Sequence, residues 1–173
     1  VDYGKISPNE MYEIGMMYFD GILHEHQYNK AEEWLIKAAA QGHLLAQYKL
    51  GIGLFYFSIS RDQALKYLLN AAQGGCPEAQ GELGYLYYTK NFDKYFYFKQ
   101  NPDSSVYWHQ KAAAQSYHPS QYWLGYYYMV GWGVKKDYSK ARNYLTAAIE
   151  SGKLSSVQYN DAVKRLKKLK NKK

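Results

Sequence analysis

The chain has 173 residues, and hydrophobic side chains make up 47% of them, which excludes wholesale disorder. A chain of this length buries roughly 70% of its unfolded surface and needs no metal or disulfide staples; its one cysteine, Cys76, excludes a disulfide-rich secreted scaffold. The net charge of +7 is a property of the C-terminal run, because Lys164, Arg165, Lys167, Lys168, Lys170, Lys172 and Lys173 carry seven positive charges, while residues 1–163 balance 15 basic against 15 acidic groups.

In chain order, Ser7-Pro8-Asn9-Glu10 is a capping box with proline at the first helical position, and it predicts a helix over 8–20. Ala31, Trp34 and Ala38 at i, i+3, i+7 predict a second over 29–41, stopped at Gly42. Helices follow over 44–57, carrying Leu50-Gly51, and over 61–73, opened by Ser60 and Gln63 and striped by Ala64, Tyr67 and Ala71. Ala79, Leu83 and Tyr87 stripe a helix over 77–89, and Asn101-Pro102-Asp103 restarts helix over 104–115. The remaining helices are 119–130, 138–150 and 155–170, the last with Val163, Leu166 and Leu169 inward and lysines outward. No apolar run approaches the length of a membrane span, so no membrane insertion is expected.

The helices come in pairs that repeat. An apolar-Gly step recurs at Ile14-Gly15, Leu50-Gly51, Leu83-Gly84 and Leu124-Gly125. An aromatic recurs at Trp34, Tyr67, Trp108 and Tyr144, each with alanine four residues on. Glycine inside a helix costs roughly 1 kcal/mol relative to alanine, so its return implies a neighbouring helix too close for a Cβ.

The run from Ser120 through Leu124-Gly125 to Tyr128, then Gly131-Trp132-Gly133-Val134, Asp137-Tyr138 and Lys140-Ala141, resembles a Sel-1-like repeat, as do Ala46-Gln47 and Ala79-Gln80. The resemblance covers about residues 8–152; tetratricopeptide arrays are the nearest alternative. The second unit departs from it by losing the Gly-x-Gly-Val loop, and the third carries extra residues between its helices. The family implies an all-α, right-handed α/α superhelical solenoid. Here that means a single domain over 1–173 of about four two-helix repeats (8–42, 43–75, 76–116 and 117–152), with a capping helix and basic tail over 153–173.

Enzyme chemistry is not expected. The sequence has no glycine-rich phosphate loop after a strand and no G-x-S-x-G nucleophile elbow. Cys76 reads as a small residue before a helix. Glu32-Glu33 reads as first-turn carboxylates facing the helix dipole. His24-Glu25-His26 has no evident third ligand, so no metal or other cofactor is expected. The basic tail carries no interleaved aromatics for base stacking, so no nucleic-acid binding is expected.

The expected partner is another protein or peptide, with no obligatory small molecule. In related two-helix solenoids the concave groove is lined from the first helices. Here those positions hold Tyr12, Met16, Phe19, Tyr48, Ile52, Phe55, Tyr85, Tyr88, Tyr122, Tyr126 and Met129, with Gly81 the exception. They are either contact anchors or ordinary core. The third unit's insertion adds Phe92, Tyr95, Phe96, Tyr97 and Phe98, a second candidate contact region. The resemblance implies a bacterial adaptor of the cell envelope or a secretion system, or alternatively an immunity protein against a toxic effector, or a cell-wall or peptide ligand binder. The expected compartment is periplasm or envelope after removal of a signal segment, with cytoplasm the alternative.

Overall fold

A computed structural model describes residues 6–22, 27–53, 57–89, 98–170 and 172. Among them there are nine α-helices and no strand. They are α1 (Pro8–Phe19), α2 (Tyr28–Ala40), α3 (Leu44–Ile52), α4 (Arg61–Gln73), α5 (Pro77–Tyr88), α6 (Pro102–Ala114), α7 (His118–Val130), α8 (Tyr138–Glu150) and α9 (Ser156–Leu169). The chain forms two compact units, Val1–Ala79 and Gln80–Lys173.

The helix starts follow their caps. Ser7 Oγ accepts from Glu10 N at 3.3 Å and Glu10 Oε2 accepts from Ser7 N at 2.7 Å, so two orphan amides are satisfied reciprocally. Ser60 and Gln63 repeat the box. Asn101 and Asp137 cap α6 and α8 by accepting from the backbone amides of Ser104 and Lys140. Gly42, Gly75 and Gly152 follow α2, α4 and α8 with φ of +84°, +101° and +64°. Ser116 takes the same place after α6 at φ +61°, without glycine's freedom.

In the first unit, α1 packs on α2, α2 on α3 and α3 on α4. The core holds Met11, Ala31, Leu35, Ala38, Ala46, Leu50 and Phe57. Each fully buried leucine stabilises it by about 1.5–3 kcal/mol. A Cβ at Gly51 would lie 2.8 Å from the Cβ and backbone nitrogen of Leu68, which is the close approach the repeated glycine implies.

Helix α3 ends at Ile52, short of the expected residue 57. Gly53 caps it, and the Phe57 ring folds back over the place where a Gly53 Cβ would stand. Phe57 is 7% exposed and packs into the first unit's core. Glu32, expected in a first turn, lies in the second because α2 opens at Tyr28. Its Oε2 instead accepts from Ser58 N at 2.9 Å.

In the second unit, α7 packs on α6, α8 and α9, and α8 packs on α9. Gly125 lets Leu145 approach, with Cγ 2.7 Å from a hypothetical Cβ, and Gly84 lets the ring of His109 do the same. Helix α9 buries Ala162 and Leu169 and half-buries Leu166, with lysines on the outer face. Arg142 Nη1 closes its far end by donating to the carbonyls of Leu169 (3.2 Å) and Lys172 (3.1 Å). Most of the basic tail is therefore the solvated side of a packed helix.

Candidate functional site

In the first unit the expected contact positions divide. Tyr12 is half-buried and stacks on His43 at 4.6 Å between ring centroids. Met16, Phe19 and Ile52 come together with Leu35, Lys49 and Phe57 around an apolar dimple of about 70 Å³. Tyr48 is half-buried. Phe55 lies outside the described residues.

The second unit gathers more aromatic surface. Tyr88 is half-buried between the rings of Trp123 (4.9 Å), Trp132 (5.5 Å), Tyr127 (5.7 Å) and Tyr126 (6.0 Å). Tyr85 rests on Trp123 at 5.6 Å and remains 41% exposed. Tyr126 is half-buried with the Arg165 guanidinium 4.3 Å above its ring, a cation–π contact. Met129 is half-buried against the α8–α9 core.

Tyr122 belongs to the core, 7% exposed, and its hydroxyl donates to Asp161 Oδ2 at 2.7 Å. Arg165 Nε donates to the same oxygen. Burial pushes the Asp161 carboxyl up, but the bonds from Arg165 and Tyr122 outweigh it and hold it below its usual value. Tyr122 thus latches α7 to α9. Of the insertion residues, Phe92, Tyr95, Phe96 and Tyr97 lie outside the described residues. Phe98 packs edge-on against Tyr87 at 4.8 Å and is half-buried.

The second unit also holds a polar core that a reading of the aromatics alone misses. The buried polar residues among those described are Gln80, Ser105, His109 and Ser120. Ser105 Oγ donates to Gly84 O (2.7 Å) and meets Tyr127 Oη at 2.8 Å. His109 Nδ1 bonds Ser120 Oγ at 2.9 Å, and its Nε2 is buried without a hydrogen-bond partner. Burial lowers the His109 pKa to about 3, so the ring is neutral. The signal was in the repeat register. Leu35, Leu68 and Leu145 stand where His109 does, and Ala46 and Ala79 where Ser120 does.

His109 and Ser120 line a cleft of about 210 Å³ with Gly81, Glu82, Tyr85, Tyr117, Pro119, Trp123 and Gln158. Gly81 is the one expected groove position without a large side chain. A Cβ there would stand 2.5 Å from Tyr117 Cε1, so the Tyr117 ring occupies its place.

Cys76 is buried. Its thiol donates to Glu78 Oε2 at 3.2 Å, and burial pushes its pKa up to about 11, the reverse of an activated nucleophile. Among the described residues no group of three or more His, Cys, Asp or Glu comes together to hold a metal. His24-Glu25-His26 lies outside them. No described helix is long and apolar enough to cross a membrane.

The Sel1 repeat family matches the chain four times, over residues 11–43, 44–76, 77–117 and 118–153. A sel1-like repeat-containing protein of Acanthamoeba polyphaga mimivirus is 32% identical over 128 residues. That match covers 72% of this chain and 22% of the relative, so the chain spans about a fifth of that protein's length. Among solved structures, c5321, a protective antigen present in uropathogenic Escherichia coli strains and displaying an SLR fold, superposes with a TM-score of 0.74 at 31% identity, over 86% of this chain and 32% of the antigen. A Sel1 repeat protein from Oxalobacter formigenes superposes at 0.65 and 30% identity, over 78% of this chain and 95% of that one. Four matched repeats, three of them closed by a glycine–leucine contact and the remaining one by Gly84 against His109, place the chain in the Sel1 repeat family.

Proposed function

We propose that this chain is a non-catalytic adaptor that binds another protein or peptide through the aromatic face of its second unit. Sel1 repeat proteins are helical-repeat scaffolds for protein interaction. The observation that carries the reading here is Tyr85, 41% exposed on the Trp123 ring, which Tyr88 and Tyr126 hold in turn. Tyrosine and tryptophan give wide contact at low entropic cost, and rings held by neighbouring rings lose little freedom when a partner docks. An envelope or secretion-system setting is the proposed context. Cys76 suits an oxidising compartment, because its buried, high-pKa thiol resists oxidation.

The experiment is affinity capture with the immobilised chain, followed by titration of the captured partner. Tyr126→Ala and Tyr85→Ala should each weaken that partner by more than about 1 kcal/mol without unfolding the chain. Undiminished affinity in both variants, with circular dichroism unchanged, would remove the second unit's face as the binding surface.

A further inference from the structure

We propose that the apolar dimple of the first unit receives a branched aliphatic side chain of a protein partner, while Lys49 holds a carboxylate of the same partner segment. This goes beyond the reading above, because the dimple shares no residue with the second unit's aromatic face.

The dimple exists because Lys49 breaks the repeat. Aligning Gly51 with Gly125 and Gly15 with Gly84 puts Lys49 in the register of Trp123 and Ile52 in that of Tyr126. Met16 and Phe19 then stand where Tyr85 and Tyr88 do. In the second unit the Trp123 ring occupies the middle of that set, 5.6, 4.9 and 6.1 Å from Tyr85, Tyr88 and Tyr126. In the first unit a thin lysine stem replaces the indole, and a space of about 70 Å³ remains, lined also by Leu35, Gly53 and Phe57. Ile52 is exposed and Met16, Phe19 and Lys49 are half-buried, so the space is reached from solvent.

Size selects the apolar part of the occupant. An apolar cavity that binds benzene measures about 150 Å³. A space of about 70 Å³ is too small for an aromatic ring and takes the branched end of leucine, isoleucine or valine. Water gains little there, because an ordered water needs two to four polar partners and the lining side chains other than Lys49 are apolar.

Charge selects the rest. Lys49 is the one ionisable residue of the lining, and among the described residues its ammonium has no ion-pair or hydrogen-bond partner. A lysine lays its methylene stem on apolar surface and keeps its ammonium in water. The charge therefore stands ready at the mouth for a carboxylate that arrives with the apolar side chain. The chain's own carboxylates on the adjoining helix faces leave it free. Glu32 Oε2 accepts from Ser58 N, and Glu13 and Asp20 are exposed, where water and salt screen them. A basic partner segment meets Lys49 as a like charge and is rejected.

The test needs no knowledge of the partner. In an extended chain, residues two apart point to one side at a spacing of about 6–7 Å, so acetyl-Leu-Ala-Glu-Ala amide presents both groups together. The isotopically labelled full chain is titrated with this probe, and methyl and amide resonances are followed by NMR. Saturable shifts should centre on the Met16 and Ile52 methyl groups and the Gly53 amide. A probe with glutamine in place of glutamate has nearly the same shape without the charge and should bind at least about three-fold more weakly. A probe with alanine in place of leucine should bind at least about ten-fold more weakly. Lys49→Gln should bring the glutamate probe down to the affinity of the glutamine probe. Lys49→Trp, which installs the residue of the matching second-unit position, should fill the dimple and abolish the shifts; if it unfolds the chain, Lys49→Gln still decides. Equal binding of the glutamate and glutamine probes, equal binding of the leucine and alanine probes, no saturable shift at the dimple, or an affinity indifferent to Lys49→Gln would each overturn the proposal. So would tighter binding of a probe with lysine in place of glutamate, or with tryptophan in place of leucine. Tyr85→Ala and Tyr126→Ala should leave this titration unchanged, so failure here and failure of the second unit's face are separate results.

Discussion

Replacing His109 with leucine should flatten the acid side of the stability profile. The folded chain holds His109 1% exposed, and burial lowers its pKa from 6.5 to about 3. The unfolded chain takes up a proton near pH 6.5 that the folded chain refuses. Stability from this group is therefore intact above pH 6.5 and falls as the pH drops from there towards 3. Linkage gives a loss of about 2 kcal/mol between pH 7 and pH 5. Leucine alone would strand the Ser120 hydroxyl, an unsatisfied group costing about 1–3 kcal/mol, so the clean variant is His109→Leu with Ser120→Ala. Urea unfolding at pH 7, 6 and 5, read by far-ultraviolet circular dichroism, gives the slope for each protein. The wild type should lose about 2 kcal/mol more than the double variant over that interval. Other carboxylates and His43, whose pKa burial also lowers, are common to both and cancel. Parallel slopes would refute the account of a neutral, buried imidazole.

Ser116→Gly should raise stability by up to about 1 kcal/mol, because serine holds φ +61° where three other repeats use glycine; a melting scan should show a gain of about 2–4 °C. Gly125→Ala should cost about 1–3 kcal/mol in a denaturant titration, since its Cβ would stand 2.7 Å from Leu145 Cγ. Changing Lys167, Lys168 and Lys170 together to Gln should leave both melting temperature and partner affinity nearly unchanged. Truncation before Leu169 should lower the melting temperature, because Leu169 is 2% exposed and Arg142 closes the helix beyond it. Partner binding lost in the glutamine variant at constant stability would make the tail a contact surface.

The helix pairs were legible because their signals are local. A capping box, a proline at a helix start and a leucine–glycine step each carry a fixed geometry wherever they occur, and most helices begin within a residue or two of their expected starts. The end of α3 at Ile52 was not legible, because the packing of Phe57 against Phe19 and the α1–α2 core involves residues far away in the chain. The aromatic spacing singles out Tyr85, Tyr88 and Tyr126 but cannot separate them from Tyr122. All four are tyrosines on first helices; only the position of Asp161, 39 residues away on α9, makes Tyr122 a core latch. The polar cleft was readable in principle. His109 breaks a column of leucines and Gly81 a column of tyrosines, and the two breaks gain meaning only when packing places them in one recess.

The latch between Tyr122 and Asp161 also has a consequence for synthesis. The first unit has its whole sequence by residue 79 and is free to fold while the ribosome continues. Helix α7 has no such freedom, because the carboxylate that receives the Tyr122 hydroxyl is made 39 residues later. At about 5–20 residues per second this leaves roughly 2–8 s in which the Tyr122 face of the nascent chain lacks its cover. During that interval the exposed face is a target for a chaperone.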